Sequence, residues 1–185
     1  GVQLGLMNGI PYSICGKILW VNLDNAVFCE EIVPKEIYDM YGAGLGLAAY
    51  FLYRDIPAHA KPLGPENILA FTAGILTGSA SMLTGRWTVA AKSPLTNTWG
   101  DANCGGNLAP SIKQCGYDGI FFTGRSPNPV FLKLTHNKAE LLDASHLWGQ
   151  DSIETEKILR EPFGRKPVSV ACIGPAGEKL SLISG

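Results

Sequence analysis

Clusters of glycine and proline interrupt this chain about every ten residues and mark turns and loops. There are 22 glycines and 12 prolines in 185 residues. Proline removes a backbone donor, and glycine weakens the interior of a helix or a strand. Only short elements fit between such breaks. The runs they leave are rich in β-branched and aromatic residues, as in Lys17-Ile18-Leu19-Trp20-Val21-Asn22-Leu23. The pattern predicts an α+β domain of many short strands and a few short helices. The length suits one domain with a sizeable core rather than two.

Strands are expected over 17–23, 26–32, 67–72, 86–92, 119–123, 130–134, 138–142, 168–173 and 180–183. A polar turn at Asp24-Asn25 and a turn at Gly174-Pro175-Ala176-Gly177 separate neighbouring pairs. Pro34 fits a first helical turn. Ile37, Tyr38, Tyr41, Leu45, Ala48, Ala49 and Leu52 then recur at helical spacing. Glycines at 42, 44 and 46 interrupt that pattern and predict two short helices with a break. Further helices are expected over 108–115 and over 152–160, the latter opened by Asp151 as N-cap. Residues 57–65, 73–85 and 93–106 read as loops.

Composition removes several classes of function. Fifteen basic and 16 acidic residues give a net charge of −1, with no basic stripe for nucleic acid. Hydrophobic residues are 46% and charged residues 17%, so the chain is globular. A charge-poor surface is also what a domain shows where another domain, a subunit or a large cofactor covers it. No stretch approaches the roughly 20 apolar residues of a membrane span. The five cysteines, at 15, 29, 104, 115 and 172, are odd in number and lack CxxC spacing. That argues against a disulfide framework and against a self-contained zinc or iron–sulfur site. Reduced thiols suit the cytoplasm. Residues 1–6 carry no positive charge, unlike a signal peptide. Residues 1–15 read as a leader or expression-derived stretch with an irregular start, Met7 as a natural start, and 16–185 as a single domain.

Gly42-Ala43-Gly44-Leu45-Gly46 does not meet the dinucleotide-binding pattern. A helical segment precedes it, and the third glycine follows the second too soon. Glycines there let two elements approach closely. Two other stretches are small, polar and punctuated by glycine. One runs over 74–87 and the other over 92–107. Bare N–H groups in such loops can cradle an anion, and Arg86 can add a planar cationic donor. Gly105 and Gly106 precede an expected helix, whose N-terminus favours an anion. Spacing alone favours ordinary turn chemistry with Arg86 on the surface. Cys104 stands where a thiol pKa can be lowered, and where a small residue simply fits. His59, His136 and His146 are scattered, and no catalytic triad or carboxylate pair is readable.

Taken in order, several segments resemble the aldehyde:ferredoxin oxidoreductase family. They are Gly16-Lys17-Ile18-Leu19-Trp20-Val21-Asn22-Leu23, Pro62-Leu63-Gly64-Pro65-Glu66-Asn67, Gly74-Ile75-Leu76-Thr77-Gly78, Thr84-Gly85-Arg86-Trp87 and Lys92-Ser93-Pro94-Leu95-Thr96. Ala102-Asn103-Cys104-Gly105-Gly106, Cys115-Gly116-Tyr117-Asp118-Gly119, Asp143-Ala144-Ser145-His146-Leu147-Trp148-Gly149 and Ile173-Gly174-Pro175-Ala176-Gly177-Glu178 continue the match. Each is weak alone; the ordered set, over about residues 16–183, is specific.

The resemblance implies two β-sheets packed with a few short helices, forming the N-terminal domain on which pterins lie. It implies one tungsten or molybdenum held between two pyranopterins in the whole enzyme. Gly85 and Arg86, with Asn103, Cys104, Gly105 and Gly106, would line the cofactor, and both glycine-punctuated loops would face it. Arg86 would lie between pterin and a [4Fe–4S] cluster. The Asn103 backbone carbonyl would help hold a magnesium ion on the pterin phosphates, a role suited to an ion that takes few protein oxygens. The whole enzyme would oxidise an aldehyde to a carboxylic acid and pass electrons to ferredoxin.

The implied catalytic residues, the cluster cysteines and a second glycine–arginine segment are not in this sequence, so the chain is a truncated, catalytically incomplete domain on this reading. Its expected partners are the pterin, the enzyme's remaining domains and ferredoxin. An uncovered pterin-facing surface is also one on which two copies can associate. The stretch Met82-Leu83-Thr84 lacks the family's proline and extra glycine, and Trp99-Gly100-Asp101 and Asn107 are unusual. A stand-alone cofactor-binding or assembly protein is the alternative.

Overall fold

The structure is a computed structural model that describes residues 6, 7, 10, 11, 13–79, 82–136 and 138–183. Apart from four residues in a short ladder of β1 (Leu6–Met7) with β2 (Ile10–Pro11), residues 1–12 of the expected leader lie outside the described residues. Ser13, Ile14 and Cys15, counted above with that leader, pack onto the domain, and Ile14 joins its core.

A six-stranded mixed sheet carries the fold. Its strands are β3 (Lys17–Asn22), β4 (Val27–Ile32), β5 (Leu69–Ala73), β6 (Trp87–Lys92), β7 (Trp99–Cys104) and β8 (Gly119–Thr123), in the order β4-β3-β8-β5-β6-β7. Only β3 and β8 run parallel; every other neighbour is antiparallel. A separate two-stranded sheet pairs β9 (Val130–Thr135) with β10 (Lys138–Asp143). The α+β class with two principal sheets is therefore as expected.

Strand β3 is buried on both faces, as a near-continuous apolar run requires. Ile18 points to one side with Phe121 and Ala70, under α1 (Lys35–Tyr41) and α2 (Leu45–Asp55). Leu19 and Val21 point to the other, where Ile112 of α3 (Leu108–Gln114) and the β9–β10 hairpin cover them. Full burial of side chains of this size contributes roughly 1.5–3 kcal/mol each. The break between α1 and α2 falls at residues 42–44, and Gly46 sits inside α2 with the Tyr41 carbonyl where a Cβ would go. These glycines serve close packing, with no strand before them.

Helix α4 (Ser152–Arg160) starts as predicted. The Asp151 carboxylate accepts from the backbone N–H of Ile153 and of Glu154, at 2.9 and 2.8 Å. Three expectations fail. Residues 99–104, read as loop, form β7. That segment has no β-branched residue, and cross-strand pairing to β6 makes it a strand despite weak intrinsic preference. Conversely, 168–173 forms no strand, and 175–178 forms the one-turn helix α5 (Pro175–Glu178). Residues 180–183 form no strand either. A ladder needs a partner, which local propensity does not supply.

Candidate functional site

The antiparallel β6–β7 pair brings the two glycine-punctuated stretches to one end of the sheet. Gly85 and Arg86 end the loop entering β6, and Gly105 and Gly106 leave β7 toward α3. Trp87 is opposite Cys104, and Thr88 opposite Asn103. All six residues singled out from the sequence (Gly85, Arg86, Asn103, Cys104, Gly105, Gly106) therefore lie together.

The contacts between the two segments are close. A Cβ on Gly85 would stand 2.7 Å from the Gly106 carbonyl oxygen, so only glycine fits. The Trp87 indole N–H donates to the Gly105 carbonyl at 3.1 Å. Thr88 Oγ1 donates to Asn103 Oδ1 at 3.2 Å. Gly106 adopts φ +95°, a conformation that side chains disfavour. A Cβ on Gly105 or Gly106 would meet nothing within 4 Å, so both border open space. Arg86 is exposed and forms no ion pair with any described residue. Asn103 to Gly106 are exposed too.

The loop before Arg86 is closed from within. Thr77, 1% exposed, donates through Oγ1 to the Thr84 carbonyl at 2.7 Å. Gly44, in the break between α1 and α2, faces the Gly74 backbone, 3.7 Å from where its Cβ would be. Lys92-Ser93-Pro94-Leu95-Thr96 is elsewhere. It belongs to the turn joining β6 to β7 at the far end of both strands, where Ser93 Oγ accepts from the N–H of Leu95 and of Thr96. The stretch over 92–107 is thus a turn and a strand, and only its last residues share the end that carries Arg86.

Behind this end lies a polar cluster that sequence reasoning missed. Asp118, fully buried, accepts from the backbone N–H of Cys15 at 3.0 Å and of Gly16 at 2.8 Å, and from Tyr38 Oη at 2.6 Å. Lys113 Nζ also donates to it, and to the Ser13 carbonyl at 2.6 Å. Four donors offset the desolvation of this carboxylate. They join the start of the domain, α1 and α3 to the strand ends beneath the site. Desolvation first, then the Asp118 charge, pushes the Cys15 thiol up to about 11. The same causes, in that order, raise the Tyr38 hydroxyl well above its usual range. The segment Cys115-Gly116-Tyr117-Asp118-Gly119 carries part of the resemblance, but Lys113, five residues before Asp118 in the last turn of α3, reads as a solvated charge until the fold is known.

The histidines stay apart and exposed; the nearest polar contact is His136 Nδ1 with the Gln114 carbonyl at 3.1 Å. Among the described residues no group of three or more His, Cys, Asp or Glu side chains could hold a metal ion. What this end offers is backbone N–H and carbonyl groups beside a free guanidinium. That is binding chemistry for an anion or a polar ring edge.

Residues 18–185 match the family model for the aldehyde ferredoxin oxidoreductase N-terminal domain. The tungsten-containing aldehyde ferredoxin oxidoreductase of Pyrococcus abyssi is 40% identical over 167 residues, 90% of this chain and 28% of that protein. The Pyrococcus furiosus enzyme of the same name is 38% identical over 169 residues, 91% of this chain and 28% of that protein. An aliphatic sulfonate oxidoreductase, WOR-like subunit, from Pyrococcus furiosus is 30% identical over 151 residues, 80% of this chain and 24% of that protein. Among solved structures, the active-site complex BamBC of benzoyl coenzyme A reductase with 1,5-dienoyl-CoA matches with TM-score 0.87 and 36% identity. That match covers 90% of this chain and 26% of the other. The chain thus spans about a quarter of the length of these relatives.

Proposed function

The chain belongs to the aldehyde ferredoxin oxidoreductase family as its N-terminal domain, and from this premise we propose that it is the pterin-supporting domain of an enzyme that oxidises aldehydes to carboxylic acids with ferredoxin as acceptor. The observation that carries the proposal is the joined rim of Gly85-Arg86 and Asn103-Cys104-Gly105-Gly106 at one sheet end. Open space over the two last glycines and an unpaired guanidinium beside them fit an anionic group such as a pyranopterin phosphate. When bound, a tungsten or molybdenum bis-pyranopterin supplies the two-electron redox chemistry.

The chain's own residues bind and orient. Arg86 would donate to the pterin edge and face a [4Fe–4S] cluster whose ligands belong to other parts of the enzyme. The Asn103 backbone carbonyl would help hold a magnesium ion on the pterin phosphates. Gly105 and Gly106 let the backbone approach the phosphates closely. We assign no general acid or base to this chain. Residues 16–185 act as one domain, with 13–15 anchored to it. The remaining domains cover the site end, where Met82 and Leu83 stand 88% and 97% exposed. Without that cover, the same surface favours association of two copies. Five free cysteines support a cytoplasmic location. No helix among the described residues is long and apolar enough to cross a membrane.

A second reading concerns the substrate. The 36% identity to a chain of the benzoyl coenzyme A reductase complex supports a non-aldehyde substrate on the same cofactor platform. Arg86→Ala in the full-length gene product tests the platform itself. The proposal expects it to retain at least about tenfold less pterin than the parent after gel filtration, as loss of a charge-assisted contact implies. Equal pterin in both proteins contradicts it. Activity screens with aldehydes and with aromatic acyl-CoA thioesters then separate the two substrates.

A further inference from the structure

We infer that Trp87 is a positioning residue for the bound cofactor, acting through the Gly105 peptide rather than by touching the cofactor itself. The inference rests on the pterin-platform reading above.

Alternation along β6 sends Trp87 and Thr88 to opposite faces of the sheet. Trp87 stacks on Phe71, centroids 5.7 Å apart and planes 18° apart, on the face that α3 covers. Thr88 is buried on the face beneath α2, in line with Ala90. From these two sides they hold successive parts of one rim. Thr88 fixes the Asn103 side chain, and the Trp87 indole N–H fixes the Gly105 carbonyl.

That second bond has a consequence for the next N–H. In a trans peptide the carbonyl and the following N–H point in opposite directions. Turning the Gly105 carbonyl to the indole therefore aims the Gly106 N–H away from Trp87. That N–H donates to no described residue. Apart from the close approach of Gly85 to the Gly106 carbonyl, the two glycines are bordered by open space where their side chains would be. A glycine pair costs conformational entropy to order, and the indole bond offsets part of that cost before any ligand arrives. The Phe71 stack keeps the indole in place for this purpose.

Trp87→Phe separates the two roles of the side chain. It retains a ring to stack on Phe71 and deletes only the N–H. In the full-length holoprotein, pterin release after dilution into a pterin scavenger should accelerate about fivefold, the effect of one ordinary hydrogen bond. The cofactor's visible absorption should shift, while the unfolding midpoint of cofactor-free protein stays within error of the parent. A purely structural tryptophan predicts the reverse: unchanged release and absorption in Trp87→Phe, with any loss confined to the unfolding midpoint. That result overturns the inference alone, provided the parent holds pterin and Arg86→Ala loses it. A parent without pterin overturns both the inference and the reading beneath it.

Discussion

A methyl group built on Gly85 would lie 2.7 Å from the carbonyl oxygen of Gly106. Both groups are fixed to backbone, so neither can swing aside. Gly85→Ala must separate the Arg86 loop from the rim that leaves β7. Overpacking of this kind costs about 1–3 kcal/mol. We expect a lower unfolding midpoint and less retained pterin in the full-length protein, read by thermal denaturation and by fluorescence of the oxidised pterin. A variant matching its parent in both would show that the two segments do not need this contact.

Asp118 and Lys113 form an ion pair whose side chains are 0% and 5% exposed. Removing one partner leaves the other charged and buried, which costs about 3–5 kcal/mol. Asp118→Ala also strips an acceptor from Cys15, Gly16 and Tyr38. Lys113→Met leaves those three donors in place. Denaturant titration should therefore find Asp118→Ala the more destabilised of the two, and equal losses would contradict the account.

The Cys15 thiol, raised from 9.0 to about 11, gives a pH dependence of defined sign. A raised pKa means that the fold favours the neutral thiol. Its contribution to stability is complete below pH 9.0 and is lost as the pH rises toward about 11. Cys15→Ala should flatten the alkaline limb of the stability curve across that window. Alkylation of Cys15, followed by mass spectrometry, should accelerate with a midpoint near 11. A midpoint at the ordinary thiol value would show that desolvation and Asp118 do not act on it.

Much of this was legible in the sequence because it is local. The glycine breaks separating α1 from α2 and the Asp151 cap of α4 follow from neighbouring residues alone. Strand β7 was not legible, because Trp99-Gly100-Asp101-Ala102-Asn103-Cys104 becomes a strand only by pairing with β6. Residues 168–173 differ in the other direction, having strand-forming residues and no described partner strand. The site residues were named from an ordered resemblance, but their adjacency depends on that same β6–β7 register. The roles of Trp87 and Thr88 rest on cross-strand contacts, and the burial of Lys113 beside Asp118 depends on Ser13, 100 residues away, closing over its ammonium, so no local signal announces them.

Removal of the cofactor should expose one thiol selectively. Cys104 ends β7 beside Gly105, while Cys29 and Cys172 are exposed on other parts of the chain. Iodoacetamide labelling of the full-length protein with and without cofactor should change at Cys104 by about tenfold or more, the protection expected of a buried pterin edge. Labelling of Cys29 should stay the same. Equal change at both would mean general loosening rather than an occupied rim.

The central claim is that this domain supports a metal–pterin cofactor. Its most direct test is the metal and pterin content of the full-length product purified from its native host, by elemental analysis and by pterin fluorescence after oxidation. The account predicts about one tungsten or molybdenum and about two pterins per polypeptide, the cofactor supplying the chemistry and the domain its seat. A native product that carries neither metal nor pterin would contradict it.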